Sequence, residues 1–317
     1  MSDYYLDFEK PIQEIDLKIL ELKNDKSSEK QSSELLSLEA TRETTIKEIF
    51  SNLSRWDRVQ LARHPQRPLS LDYINYISDD FIELHGDRYF GDDKAVICGI
   101  GRIKETKIVF IGQQKGKNTK ENLFRNFGMM RPEGYRKALR LMKLAEKFEL
   151  PVITFLDTPG AYPGLGAEER GQGEAIAKNL LEMSKLEVPI ISIVIGEGAS
   201  GGALGIGVCD KMLMLENTWY SVISPEGCAS ILWRDAAKAP DAADAMRVMP
   251  EDLKKMGICD QIIKEPLGGA HRDFEKIAEK VKNAILNEIK LLQESKIDNF
   301  LEKRIDRYDK MGIFSKS

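Results

Sequence analysis

The residue types best suited to chemistry lie in a glycine-rich stretch, Gly196–Gly207, in which six of the twelve residues are glycine. Each missing side chain lets another group approach the main chain closely. The pair Gly201 and Gly202 falls where a helix is expected to begin, and the first N–H groups of a helix have no partner within it. Such N–H groups stabilise negative charge, either on a bound phosphate or on an oxyanion that develops during a reaction.

Three other interpretations of this stretch remain open from the local pattern. The pattern G-x-G-x-x-G over 196–201, with Glu216 about twenty residues further on, is typical of a dinucleotide-binding loop. The pattern G-x-S-x-G over 198–202 is typical of a serine hydrolase, with Ser200 as the nucleophile and His271 as the downstream histidine base. The third interpretation is structural, since glycines also let a helix pack tightly against a sheet.

A second loop, Asp157–Gly164, is stiffened by two prolines and has two glycines for tight turns. It follows a predicted buried strand, Val152–Leu156, and the glycine-rich stretch follows the next predicted strand, Pro189–Ile195. In open α/β sheets, ligands bind at the carboxyl ends of the strands. We therefore expect the two loops to flank one cleft, and we expect Glu197 to support the glycine-rich loop rather than to catalyse.

Strand and helix patterns alternate through the middle of the chain, as is typical of an α/β fold. Two Pro-Glu-Gly sequences each predict a helix start, at Pro132 and at Pro225, and Ser224 is a favourable N-cap for the second. Further strands are predicted at Ala95–Ile100, Ile108–Gly112, Lys211–Leu215, Tyr220–Ile223 and Asp260–Ile263. Helices are predicted at Leu71–Leu84, Tyr135–Phe148, Glu168–Met183, Ser200–Val208 and Phe274–Ile297.

Both ends of the chain are predicted to be helical additions to this α/β part. Residues 1–54 form a predicted hairpin, with an apolar helix face (Ile12, Ile15, Ile19, Leu22), a polar turn at Asn24–Ser33 and a second helix from about Glu34 to Leu53. This hairpin is either a solvated appendage or an arm that contacts a partner. We expect the core to occupy residues 55–271 and a structural helical tail to occupy 272–317, with its charged last twenty residues at the periphery.

Composition argues against several classes of function. The chain has 47 Lys and Arg, 51 Asp and Glu, and a net charge of −4, which argues against binding nucleic acid or anionic membranes. Basic residues at Lys115, Lys117, Lys120, Arg125 and Arg131 either meet a phosphate-bearing ligand or form a solvated basic loop. Gln113–Lys117 lacks the Walker spacing, so nucleotide hydrolysis is not expected.

The four cysteines form no C-x-x-C pair, so neither a metal site nor a disulfide framework is expected. The first residues lack a signal-peptide pattern, and the most apolar long window, Val188–Val208, is a poor membrane span. We therefore expect a cytoplasmic protein.

The longer motifs together resemble the alpha-subunit family of bacterial acetyl-coenzyme A carboxylase carboxyltransferases. The resemblance extends from about Leu6 to His271, with the N-terminal helices and the tail less diagnostic. It is carried by Leu61–Pro68, Asn126-Phe127-Gly128-Met129, Pro132–Leu141, Asp157–Gly164, Glu168–Gly173, Gly196–Leu204, Ser221–Trp233 and Glu265–Arg272.

The resemblance implies a crotonase-like (ClpP/crotonase) fold, a spiral of repeated ββα units, here with an N-terminal helical hairpin. It implies an α2β2 assembly with a beta subunit that carries a zinc ribbon. It also implies two further partners, a biotin carboxyl carrier protein and a biotin carboxylase. The implied reaction moves a carboxyl group from carboxybiotin on the carrier to acetyl-CoA, giving malonyl-CoA for fatty acid synthesis. The alternative is a serine hydrolase or protease of the same broad fold that uses Ser200.

This reaction generates two anionic oxygens, on the biotin ring and on the thioester, and the biotin anion can itself take the methyl proton. The reaction therefore needs no histidine base, which fits the low number of three histidines in the chain. What the protein must supply is pre-organised hydrogen-bond donors for the two anionic oxygens. By resemblance, the N–H groups of Gly201 and Gly202 form an oxyanion hole that faces the biotin oxygen, and Ser200 is a neighbour rather than a nucleophile. The implied pocket loops contain Gly160, Ala161, Tyr162, Gly164, Gly198, Ser200 and Ala203.

Overall fold

Runs of β-branched residues form one mixed sheet, which has eight strands in the described part of the chain. The computed structural model describes residues 4–24, 30–294 and 297–312. The strand order is β1-β2-β3-β4-β5-β6-β8, and β7 pairs with the end of β5. The strands are β1 Ile82–Glu83, β2 Val96–Ile103, β3 Thr106–Gln113, β4 Val152–Thr158, β5 Ile190–Ala199, β6 Lys211–Leu215, β7 Trp219–Ser221 and β8 Gln261–Ile263.

The sheet changes direction at β3. The pairs β1–β2 and β2–β3 are antiparallel, and the predicted hairpin of the latter pair is confirmed. From β3 through β4, β5 and β6 to β8 all pairs are parallel, as is β5–β7. Parallel strands need crossover connections, and helices supply them here. The carboxyl ends of β3, β4 and β5 consequently lie side by side at one edge.

Fourteen α-helices connect and cover these strands within the described residues. Several start where the sequence predicts, since Pro132 lies in the first turn of its helix and the Ser224 hydroxyl accepts from Gly227 N–H. The helices are α1 Lys10–Asn24, α2 Lys30–Ser51, α3 Arg55–Ala62, α4 Ser70–Ile77, α5 Thr119–Phe124, α6 Pro132–Lys147, α7 Leu165–Glu169, α8 Gln172–Lys185, α9 Ser200–Leu204, α10 Pro225–Trp233, α11 Ala239–Met246, α12 Pro250–Lys255, α13 Phe274–Gln293 and α14 Ile297–Asp309.

Both faces of the sheet are buried, as expected for parallel strands. Alternate residues of β4 point to opposite faces: Val152 and Leu156 pack with α6 and α8, whereas Ile153 and Phe155 pack with α4 and α13. The continuous apolar runs in the sequence reflect this two-sided burial.

Three predicted helices have different bounds in the structure. The helix predicted at Leu71–Leu84 ends at Ile77, because the chain then turns to pair β1 with β2, and Asp79 N–H donates to Arg102 O. The helix predicted at 168–183 is two helices, interrupted by Gly171 at φ +81°. The predicted helix 200–208 ends at Leu204. A periodic apolar pattern does not register such breaks, since they depend on partners distant in sequence.

The charged end of the chain is not peripheral as predicted, because α14 is anchored in the core. The helix predicted at Phe274–Ile297 is confirmed as α13, which ends at Gln293, and α14 begins separately at Ile297. Arg304 in α14 is 1% exposed and forms an ion pair with Asp210 at 2.7 Å. Its guanidinium also donates to three main-chain carbonyls that end α8 and precede β5, those of Met183, Leu186 and Val188. A buried charge with this many partners fixes the position of α14.

The predicted N-terminal helical hairpin is confirmed in α1 and α2, which pack against each other, while part of its predicted turn, residues 25–29, lies outside the described residues. Its base is tied to the core, because the buried carboxylate of Glu9 accepts from Arg272 at 3.1 Å. Whether the hairpin contacts a partner stays a prediction.

Among the residues that the structure describes, no helix combines the length and apolar character needed to cross a membrane. Within the same ranges, no group of three or more His, Cys, Asp or Glu side chains is placed to hold a metal ion, and all four cysteines are unpaired.

Candidate active site at the carboxyl ends of β4 and β5

The two glycine-containing loops lie against each other, and that they flank one cleft stays a prediction. β4 and β5 are parallel neighbours, and their ends pair Thr158 with Gly198 across an irregularity in the register. A Cβ on Gly202 would overlap the carbonyl carbon of Gly160 and would lie 2.5 Å from the amide nitrogen of Ala161. Gly202 is therefore the residue at which the 157–164 loop and the glycine-rich stretch meet main chain to main chain.

The glycines of the stretch have different physical roles. Gly196 and Gly198 belong to β5, which continues to Ala199. A side chain on Gly196 would collide with the Asp157 carboxylate, and one on Gly198 would lie 2.5 Å from the Tyr220 ring. Tight packing, the structural interpretation of the glycine-rich stretch, therefore explains why these two residues are glycine.

The first turn of α9 places the predicted donor residues. Ser200 begins the helix with φ +58°, a left-handed conformation that costs about 1–3 kcal/mol for a residue other than glycine. The N-cap is Ala199, whose side chain makes no capping hydrogen bond. The first N–H groups of the helix, including those of Gly201 and Gly202, thus lack both intrahelical partners and a side-chain cap.

The neighbouring loop is held by its own contacts. Thr158 Oγ1 donates to Gly160 O at 2.7 Å and accepts from Gly160 N–H at 3.1 Å, which stabilises the unusual φ of +149° at Gly160. Tyr162 N–H donates to Met130 O at 3.0 Å, and the Arg131 guanidinium lies 4.7 Å from the Tyr162 ring centroid. A Cβ on Gly164 would overlap the Tyr162 ring, so that ring packs directly on the main chain.

A cavity of about 620 Å³ opens beside Ser200 and Gly201. This volume is within the range of roughly 300–1,000 Å³ that is typical of pockets for small organic ligands. Gly202 and Ala203, the next two residues of α9, are buried and do not line the cavity. The lining is mainly apolar and includes Tyr220, Val222, Tyr308 and Met311. The last two belong to the C-terminal tail, and sequence reasoning missed them because the charges around them suggest a solvated helix.

Glu197 lies beneath this turn in a buried ion cluster. Its carboxylate accepts from Lys115 Nζ at 2.7 Å and from Arg63 Nε at 2.6 Å, and Lys115 is also 2.7 Å from Asp157. Burial alone would raise the pKa of Glu197, but the two cations outweigh it and hold that pKa below its usual value. These contacts agree with the predicted supporting role of Glu197, and they commit Lys115 to carboxylates rather than to a phosphate-bearing ligand.

The histidine required by the hydrolase interpretation is placed elsewhere. His271 stacks on His64 with ring centroids 4.0 Å apart, and neither of its ring nitrogens has a hydrogen-bond partner among residues 4–24, 30–294 and 297–312. Burial, with added repulsion from His64 and nearby arginines, lowers the pKa of His271 to about 2. A base must contact its nucleophile, and in this structure His271 does not contact Ser200.

Comparison with known proteins gives a match over nearly the whole chain. The sequence profile of the family described as "Acetyl co-enzyme A carboxylase carboxyltransferase-like" matches residues 5–312. The acetyl-coenzyme A carboxylase carboxyl transferase subunit alpha of Xanthomonas axonopodis pv. citri (strain 306) is 55% identical over 316 residues, which is 99% of each chain.

Two solved structures are similar in fold. A Pseudomonas malonate decarboxylase hetero-tetramer in complex with coenzyme A has a chain that matches with a TM-score of 0.59 and 13% identity, over 76% of this chain and 94% of that one. A transcarboxylase 12S structure with methylmalonyl-coenzyme A and methylmalonic acid bound matches with a TM-score of 0.53 and 20% identity, over 66% of this chain and 40% of that one. At these identities the likeness shows the fold alone.

Proposed function

The chain belongs to the acetyl co-enzyme A carboxylase carboxyltransferase-like family, and we propose that its α9 turn is the oxyanion-binding part of that carboxyltransferase. The predicted family and crotonase-like α/β fold are confirmed. The protein is the alpha subunit of the carboxyltransferase of acetyl-CoA carboxylase, a transferase that acts in fatty acid biosynthesis.

One observation carries the assignment of the site. The uncapped first turn of α9 borders the cavity at Ser200 and Gly201, and the lining opposite is mainly apolar. Main-chain N–H groups in an apolar surrounding stabilise an anionic oxygen more strongly than they would in water. The N–H groups of Gly201 and Gly202 hold the oxygen that becomes negative as the carboxyl group leaves its donor.

The cavity suits carboxybiotin, since it combines amide donors with apolar walls large enough for a small ring system. Carboxybiotin supplies the carboxyl group that acetyl-CoA receives and, once it has lost that group, a base for the methyl proton. The chain's own residues bind and orient: the α9 amides hold the oxygen, Tyr220 and Val222 exclude water, and the Gly160–Gly164 loop packs against Gly202 and so supports the α9 turn.

The complete enzyme requires other chains. We propose an α2β2 assembly in which the beta subunit carries a zinc ribbon and supplies the second set of donors, for the thioester oxygen. A biotin carboxyl carrier protein delivers carboxybiotin, and a biotin carboxylase reloads it. The name of the Xanthomonas relative, a subunit alpha, supports a multi-subunit enzyme.

A reconstitution experiment tests this function. The purified chain is mixed with the beta subunit, and the biotin-dependent decarboxylation of malonyl-CoA is measured, which is carboxyl transfer run in reverse. We expect activity only from the mixture, with the chain alone nearly inert. Full activity without the beta subunit, or no activity in the complex, would contradict the proposal.

The substitution Ser200→Ala separates the transferase from a serine hydrolase. We expect the alanine variant to keep kcat within about threefold, because the main-chain N–H groups of α9 remain and only a neighbouring hydroxyl is lost. The measurement is the same decarboxylation assay, together with labelling of the unaltered protein by a fluorophosphonate. Labelling at Ser200, or a loss of several orders of magnitude in the variant, would instead favour the hydrolase.

A further inference from the structure

A buried glutamine links the two loops of the candidate site from below. Gln113 is the last residue of β3, and its side chain is fully buried. Its Nε2 donates to Gly202 O at 2.7 Å, and its Oε1 accepts from Asp157 N–H at 3.1 Å. One amide therefore contacts both the first turn of α9 and the start of the 157–164 loop.

The direction of these two hydrogen bonds fixes the amide. A flipped side chain would set its oxygen against the Gly202 carbonyl and its NH₂ group against the Asp157 N–H, so neither bond would form. The second hydrogen of Nε2 points to Met130 Sδ, 3.5 Å away, and the Ser70 hydroxyl holds the main-chain carbonyl of Gln113 at 2.6 Å. Both the side chain and the main chain of Gln113 are consequently held in place.

The Gly202 carbonyl depends on this contact because α9 does not supply its usual one. In a longer helix the N–H of Ile206 would donate to Gly202 O, but here it donates to Ala203 O at 3.3 Å. Gly202 O accepts instead from Gln113 and, at 3.3 Å, from the Tyr135 hydroxyl. A five-residue helix is not stable by itself, so tertiary contacts of this kind must set its position.

We propose that Gln113 is a positioning residue for carboxyl transfer: its amide sets the first turn of α9 against the 157–164 loop so that the N–H groups of Gly201 and Gly202 meet the oxyanion. This inference rests on the proposed function of the α9 turn. Gln113 acts through the main chain of Gly202 and does not touch substrate. Its removal moves the donors, and a misplacement of about 1 Å in such a site costs roughly 10²-fold in rate.

The substitution Gln113→Glu gives a test with a pH signature. A protonated carboxyl has both groups of the amide, since its O–H donates to Gly202 O while its other oxygen accepts from Asp157 N–H. An ionised carboxylate cannot donate and is repelled by the carbonyl. Burial raises carboxyl pKa values to as much as about 8–9, so the introduced group should titrate within a measurable range.

We expect the ratio of variant to unaltered kcat to fall as the pH rises from about 6 to about 8.5, reaching a loss of roughly 10²-fold, while KM changes by less than about threefold. The assay is the decarboxylation of malonyl-CoA with free biotin by the complex with the beta subunit. Activity of the unaltered complex tests the proposed function, whereas the ratio tests only the role of Gln113.

The neighbouring Gln114→Glu is the matched control. Gln114 is also buried, but its amide contacts Leu71 N–H and Lys115 O rather than α9, so its kcat ratio should not vary with pH. Gln113→Met, which cannot donate, should show the same loss in kcat at every pH. A Gln113→Glu ratio that is independent of pH, or a change confined to KM, would overturn the proposal. Failure of both Gln113 variants to fold would overturn it as well, since the residue would then serve the fold.

Discussion

Replacement of Gly202 by valine is expected to lower carboxyl transfer by about 10³-fold or more. The new Cβ would overlap the main chain of Gly160 and Ala161, so the 157–164 loop and the first turn of α9 must separate. Loss of a single oxyanion donor already costs about 10²–10³ in kcat, and separation would displace the N–H groups of both Gly201 and Gly202. The measurement is kcat for malonyl-CoA decarboxylation by the complex with the beta subunit.

Gly173→Val is the matched control for this substitution. Gly173 lies in the first turn of α8, is exposed, and would have no atom within 4 Å of an added Cβ. Both variants should assemble with the beta subunit on size-exclusion chromatography, because the collision at Gly202 is local to the two loops. Retained activity in the Gly202 variant would show that the α9 turn does not bind the oxyanion.

The second large effect is expected on stability, from Lys115→Met. The ammonium of Lys115 is 2.7 Å from both Asp157 and Glu197, whose side chains are only 5% and 6% exposed. Removing the cation leaves two buried carboxylates with less compensating charge, and breaking a buried ion pair in this way costs about 3–5 kcal/mol. The free energy of unfolding can be measured by denaturant titration with tryptophan fluorescence, to which the fully buried Trp219 contributes.

Lys117→Met, two residues further on, is the matched control, because it removes an ion pair at the surface rather than a buried one. Lys117 also forms an ion pair at 2.7 Å, with Asp72, but its side chain is 61% exposed. Exposed pairs contribute about 0–1 kcal/mol, so this variant should unfold close to the unaltered protein. Equal losses in the two variants would mean that Asp157 and Glu197 do not depend on Lys115.

Burial also explains which charged residues the sequence misassigned. The local sequence around Lys115 and Arg304 resembles that around solvated lysines and arginines. The sequence therefore predicted a basic loop for Lys115 and a peripheral tail for Arg304. Their partners Glu197 and Asp210 are 82 and 94 residues away in the chain. A charge is stable in the interior only with such partners, and local sequence does not contain them.

The sequence by itself determined the elements of the candidate site, because these follow from local rules. β-branched runs predict β4 and β5, a glycine pair after a strand predicts the α9 turn, and neighbouring parallel strands bring their loops together. The long motifs determined the family. Only the tertiary structure decided that Gly202 rather than Gly201 meets the opposite loop, that Tyr308 and Met311 border the cavity, and that Gln113 spans 89 residues to reach Gly202. These are contacts between distant parts of the chain, and no local pattern encodes a distance that the packing of the whole sheet sets.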